Sequence, residues 1–282
     1  DQFDHTFVNG AWKILNVFRT EQYHEEKSAY RFIRRNTYYT DTLSRDGKGT
    51  HVKSGIGMTW SGFRPSDDAC TYGYLVPSNM FAVVVLGYLE EIARLIVESS
   101  DLAKAAAELR KEIYDGIENF AITCKEGYGE VYAYEVDGYG QFNLMDDANV
   151  PSLLAMPYLG DVDVNDPIYQ NTRKFVWSED NPYCFKGKAG EGIGGPHIGY
   201  DMVWPMSIMM KAFTSKDDAE IKTCIKMLMD TDAGTGFMHE SFHKDDPANF
   251  TRAWFAWQNT LFGELILKLV NEGKTNLLNS IQ

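Results

Sequence analysis

Cysteine is sparse in this chain and positive charge is in deficit. Four cysteines, Cys70, Cys124, Cys184 and Cys224, stand in 282 residues, and none falls in a C-x-x-C pair. A structural zinc site or a redox dithiol is therefore not expected, and the four read as free, buried thiols. Lysine and arginine total 27 against 40 aspartates and glutamates, a formal net charge of -13. Nucleic-acid phosphates and anionic bilayers both favour a basic surface, so neither is expected as a partner. No contiguous apolar run approaches the ~18 residues of a membrane-spanning helix. No secretory leader is legible either, which points to the cytoplasm and leaves export open, because the sequence does not begin with methionine. Three chemical signatures are missing as well. No GxSxG marks a nucleophile elbow, no DDxxD marks a terpene-type metal cluster, and the Gly-rich stretch 192–199 lacks the lysine of a phosphate loop.

What is present is an ordinary globular balance, 44% hydrophobic, with 13% aromatic residues. Helical periodicity dominates. Asp4 to Thr20 places Phe7, Ala11, Ile14, Leu15 and Phe18 on one face. Ser78 to Ile96 reads as a buried helix with Ser78 as its cap, and Ser99 opens a second helix running to about Cys124. Further helices are expected over Ala148 to Met156, over Asp166 to Trp177, over Trp204 to Phe213, over Asp217 to Met229 (capped by Ser215) and over Thr251 to Asn271. Glu130 to Asp137 alternates as a strand of a small hairpin, and Tyr30 to Arg35 reads as another strand. Consecutive helical hairpins suggest an α/α toroid or a solenoid, and the lack of a fixed repeat disfavours the solenoid. No Pro- or Ser-rich linker divides the chain, so one domain over residues 1–282 is expected. A ring of six hairpins needs about twelve helices, and only about eight or nine are legible. The fold expected is thus all-α: a toroid incomplete on its N-terminal side, with small β-hairpins in the loops.

The loops between helices concentrate polar and aromatic residues. In the first, Arg64, Asp67 and Asp68 sit beside Trp60, Phe63 and Tyr72, just before a helix. An Arg64–Asp salt bridge would explain the cluster, and so would a ligand site. If the segment is extended, Asp67 and Asp68 point to opposite sides, one to a cavity and one holding the loop. In the second, Glu240 lies between His239 and His243 and is followed by Arg252, Trp254 and Trp257. His239 and His243 would converge on a metal only on a helix, which Gly234, Gly236 and Pro247 oppose, so no metal is expected. The third holds His197, Asp201 and Trp204 as candidate sugar contacts or turn and packing residues. In the fourth, Asp146 or Asp147 reads as a helix cap and Asn149 as a candidate ligand contact.

The segments TWSGFRPSDDACTYGYLVPSNMFAVV (59–84), MDDANVPSLLAMPYLG (145–160), GIGGPHIGYDMVWP (192–205), TGFMHESF (235–242) and FTRAWFAWQNTLFGELIL (250–267) resemble, in order, glycoside hydrolase family 125. The resemblance implies an (α/α)6 toroid and an inverting, metal-independent exo-α-1,6-mannosidase that takes α-mannosides or N-glycan fragments and needs no cofactor. It implies that Asp67, or its neighbour Asp68, is the general acid and Glu240 the general base. Arg64, His197, His239 and Arg252 are then expected to grip mannose hydroxyls, with Trp60, Trp204 and Trp257 lining the site. A hydrolase of another α-linked sugar and an inactive, glycan-binding toroid are the competing readings.

Overall fold

Side-chain oxygens that answer orphan helix amides decide where the helices begin. In the computed structural model, which describes residues 2–281, Asp4 opens α1 (His5–Glu21), accepting from the amides of Thr6 and Phe7 at 2.8 and 3.1 Å. Four such amides lack partners at every helix start, and a short acidic or hydroxyl side chain answers one or two of them. Ser99 does the same for α5 (Ser100–Phe120) through Leu102. The buried helix expected from Ser78 is α4 (Val76–Leu95), which starts two residues earlier. Pro77 fits in its first turn because the amide it lacks would have had no partner there. By length and mean hydropathy, 1.3, α4 could cross a bilayer, which contiguous apolar runs did not reveal; 44% of that window is buried within the protein.

The chain groups into two compact units, Asp1–Leu144 with Leu159–Asp161, and Met145–Tyr158 with Val162–Gln282. In the first, α4 and α5 pack as a helical hairpin and α1 lies on α5. The short α2 (His24–Lys27) supplies Glu25. That carboxylate takes a two-pronged bond from Arg45 at 2.7 and 2.8 Å and pairs with Lys48 at 2.9 Å. Arg45, opposed by burial and aided by Lys48 and the Val52 amide, holds the Glu25 carboxyl well below the usual carboxylate range. The pair secures α3 (Ser44–Gly47), a left-handed turn in which Arg45 and Asp46 have φ of 52° and 53°. Non-glycine residues in that region cost on the order of 1–3 kcal/mol each and need such external support.

Strand β1 (Tyr74–Leu75) pairs with β4 (Glu135–Val136), which pairs with β5 (Phe142–Asn143); β2 (Ile122–Lys125) and β3 (Gly129–Tyr132) form a separate hairpin. The expected strand over Glu130 to Asp137 is therefore two strands in two sheets, and α5 stops at Phe120 because the next residues pair with β3. Tyr30 to Arg35 forms no strand; Phe32 instead bonds the Gly47 carbonyl and accepts from Leu43.

In the second unit, the expected helix over Ala148 to Met156 shrinks to one turn, α6 (Met156–Leu159). Asp147 draws the Asn149 amide into a side-chain turn, and Pro151 has no amide to continue a helix. The remaining helices are α7 (Pro167–Val176), α8 (Pro205–Phe213), α9 (Asp218–Asp230), α10 (Ala256–Asn271) and α11 (Thr275–Asn279). Asp166 caps α7, and Asp217 rather than Ser215 caps α9. The core helix α8 packs on α9 and α10. Strands β6 (Cys184–Lys186) and β7 (Glu191–Ile193) make a hairpin, while β8 (Met202–Val203), β9 (Ser241–His243) and β10 (Asp246–Thr251) form a sheet with β9 central. Because Phe250 and Thr251 pair with β9, α10 begins at Ala256 rather than at Thr251. The described residues thus form a mainly helical protein with eleven α-helices and small antiparallel sheets.

One close approach positions the Trp60 segment. A Cβ on Gly116 of α5 would stand 2.5 Å from the Ile56 carbonyl and 2.9 Å from the Met58 amide. Gly116→Ala should therefore lower the urea midpoint. The helix-propensity gain of about 1 kcal/mol is outweighed by overpacking of about 1–3 kcal/mol against backbone that cannot retreat. A raised midpoint would show that the loop yields.

Candidate functional site

The Arg64–Asp68 segment is a tight hairpin, not an extended strand. Phe63 bridges Ala69, the Arg64 amide donates to the Asp68 carbonyl at 2.8 Å, and the Asp67 amide donates to the Arg64 carbonyl at 3.0 Å. Pro65 and Ser66 make the turn and Asp67 follows in the left-handed region, φ 72°. This is the three-residue hairpin loop in which a turn is followed by a left-handed residue. The alternation expected of an extended segment does not apply. Asp67 is exposed at the tip, whereas Asp68 is 1% exposed and accepts from the Ser66 hydroxyl at 3.2 Å.

The Arg64 side chain takes its ion-pair partner from another strand. Its Nε donates to Glu135 Oε1 at 2.6 Å, with both side chains buried. Burial pulls the guanidinium down, and the Glu135 charge and hydrogen bond overcome it, leaving Arg64 above its ordinary value. Trp60, expected against a ligand, is packed inside instead. Its ring stacks on His24 at 3.6 Å, and the backbone of Gly49 and Gly73 closes on its edge.

Glu240 is placed by the sheet of the second unit. It immediately precedes β9, and its amide donates to the Thr251 carbonyl at 3.1 Å. Trp204 follows β8 and Arg252 follows β10; with Val203 opposite Phe242 and Thr251 opposite Ser241, all three gather at one end of the sheet. Arg252, at φ 45°, turns back so that Nε lies 3.2 Å from Glu240 Oε1 and its guanidinium covers Phe255. Phe255 contacts buried Trp204, on which the exposed His197 stacks. The Trp204 indole N–H finds no acceptor among the described residues. Gln258 donates its amide to the Glu240 carbonyl, and Asn259 both donates to Met238 O and accepts from Met238 N. Trp257 is half-buried in the first turn of α10.

His239 has a structural place rather than the sugar-facing one expected. Its ring lies flat on Phe250 at 3.8 Å, and both ring nitrogens face backbone carbonyls, those of Ala253 and Asp232. No nitrogen remains for a metal or a hydroxyl. His243 Nδ1 accepts from the Asp245 amide. Among the described residues, no three His, Cys, Asp or Glu side chains come together as metal ligands would.

The family profile of the metal-independent α-mannosidases, GH125, matches residues 1–267. The chain belongs to the GH125 family. It is 47% identical over 250 residues to the meiotically up-regulated gene 157 protein of Schizosaccharomyces pombe, a match covering 88% of this chain and 49% of that protein. A solved Streptococcus pneumoniae structure, described as a metal-independent α-mannosidase in a non-productive complex with α-1,6-mannobiose, superposes with a TM-score of 0.94 at 46% identity, covering 96% of this chain and 64% of that one. The GH125 chain therefore spans about half the length of the fission-yeast relative and less than two thirds of the streptococcal one.

Within the GH125 chain the residues that sequence reading missed as site supports are Glu135, Phe255, Gln258 and Asn259. Gln258 and Asn259 stood in the recognised 250–267 segment, and two amide side chains opening an apolar helix were the available signal. The partnership of Glu135 with Arg64 bridges 71 residues and left no local trace.

Asp146 and Asp147 serve the backbone, but by bonding turn amides rather than by capping the expected helix. Asp146, wholly buried, accepts from the Leu153 and Leu154 amides at 2.9 and 3.1 Å. Asn149, a candidate ligand contact, donates to Asp147 at 2.9 Å. Burial pushes Asp146 up to about 8 from 3.8, against those two amides and with the Asp147 charge adding. A folded value raised above the unfolded one gives stability that is complete below about pH 4 and lost as pH rises through about 8. Urea unfolding of wild type and Asp146→Asn across this window should show the wild type losing stability relative to the variant, by up to about 1.4 kcal/mol per pH unit. Parallel pH profiles would contradict this account of Asp146.

Proposed function

We propose that this GH125 chain is an inverting, metal-independent exo-α-1,6-mannosidase that removes terminal mannose from glycans, with Asp67 as general acid and Glu240 as general base. The observation that carries the reading is the streptococcal relative, which is described in complex with α-1,6-mannobiose and shares 46% of its sequence with this chain. The successive helical hairpins α4–α5 and α8–α9 support the reading of a toroid-type catalytic domain that is incomplete on its N-terminal side.

Geometry favours Asp67 over Asp68. A general acid has to reach the leaving oxygen, and Asp67 presents its carboxyl from an exposed turn tip with a strained backbone, a conformation that clusters at functional sites. Asp68 is bound to Ser66 and closes the hairpin through its carbonyl.

In the reaction the bond between C1 and the glycosidic oxygen breaks, and its electron pair stays on that oxygen, which takes the proton of Asp67. Water bonds C1 from the opposite face and gives a proton to Glu240, so the anomeric centre inverts. The Arg252 guanidinium orients the Glu240 carboxylate. The exposed His197 offers hydrogen bonds to sugar hydroxyls, and Phe255 offers an apolar face.

Asp67→Asn and Glu240→Gln should each lower kcat on α-1,6-mannobiose by about 10²–10⁴-fold while circular dichroism stays native. Asp68→Asn should act mainly on stability. Near-normal turnover by Glu240→Gln would overturn the base assignment. Loss in Asp68→Asn with retention in Asp67→Asn would move the acid to Asp68.

A further inference from the structure

The turn carrying Asp67 is held from outside by one carboxylate. Glu135 lies on β4, between Leu75 of β1 and Asn143 of β5, and is fully buried. Its Oε1 accepts from Arg64 Nε at 2.6 Å. Its Oε2 accepts from the Thr71 amide at 3.0 Å, the Tyr72 amide at 3.2 Å and Asn143 Nδ2 at 2.9 Å. Arg64 is on the leg of the hairpin entering the turn, and Thr71 and Tyr72 follow the leg leaving it. A single side chain on a sheet therefore sets the position of both legs.

We propose that Glu135 is a positioning residue for the general acid: acting through Arg64, Thr71 and Tyr72, it fixes where the Asp67 carboxyl stands. The inference rests on the reading of Asp67 as the acid. The chemistry of the cluster requires a carboxylate. All four groups facing Glu135 are donors, so a glutamine in either amide orientation sets its own N–H₂ against at least one of them. A buried ion pair contributes little net stability compared with apolar packing of the same volume, so what Glu135 and Arg64 supply is orientation rather than strength.

The test separates acid placement from general damage by the leaving group. Mannobiose needs its departing oxygen protonated. α-Mannosyl fluoride does not: C1–F breaks to release fluoride while Glu240 still takes the proton of the attacking water. Glu135→Gln should lower kcat on α-1,6-mannobiose by about 100-fold, the effect of a misplacement of about 1 Å, with little change in KM. On α-mannosyl fluoride its kcat should stay within about threefold of wild type. Glu135→Asp keeps the buried charge paired but shortens the reach, and should show the same selectivity to a lesser degree; it carries the test if the glutamine variant does not fold. Equal loss on both substrates, or no loss on either, overturns the inference. Asp67→Asn run in parallel isolates the cause. If it is selective and the Glu135 variants are not, the positioning role fails alone; if it is itself unselective, the acid assignment fails, and this inference falls with it.

Discussion

Glu135 is enclosed by protein, and four donors converge on its two oxygens. A carboxylate so deeply removed from water is costly unless its hydrogen-bonding capacity is filled, and here the filling is done by the segment around Asp67, through Arg64, Thr71 and Tyr72, and by Asn143 of β5. The dependence runs both ways. The loop has almost no apolar content of its own between Arg64 and Asp68, and the carboxylate would not be tolerated without the loop. The same device recurs in each unit. Glu25 gathers Arg45 and Lys48 to stabilise a left-handed turn, and Asp146 gathers the Leu153 and Leu154 amides where a helix does not form. These three stretches of irregular backbone are organised around buried or half-buried carboxyl groups.

Glu240, the proposed base, is placed by a different means. Glu240 sits at the end of a central strand, so its backbone inherits the rigidity of the β8–β9–β10 sheet, while Gln258 and Asn259 at the start of α10 pin the segment from the side. Arg252 reaches Glu240 only because it adopts a left-handed backbone immediately after β10. A short sheet end thus collects one carboxylate, one guanidinium and two aromatic rings from residues that are distant in sequence.

The parts of this arrangement that were legible in the sequence were local. Asp4, Ser99 and Asp166 cap helices because the donors they answer lie two or three residues away. The recognised segments include Asp67 and Glu240, the pair proposed as acid and base. What could not be read was decided by partners far along the chain. The start of α10 moved because β10 pairs with β9, the helix after Ala148 gave way to side-chain turns, and Arg64 took its ion-pair partner, Glu135, from another strand. Trp60 and His239 looked like ligand contacts because aromatic and imidazole groups near carboxylates often are. Their stacking on His24 and Phe250 depends on tertiary neighbours that no spacing rule exposes.

The central claim is the proposal that the chain cleaves α-1,6-mannosides with inversion, using Asp67 as acid and Glu240 as base. Proton NMR of the first mannose released from α-1,6-mannobiose tests it most directly, because an acid and a base separated by the sugar ring and a water must invert C1. The account predicts β-mannose as the initial product, followed by mutarotation to the equilibrium mixture. Initial α-mannose would contradict it, and so would mannobiose left intact by the folded protein.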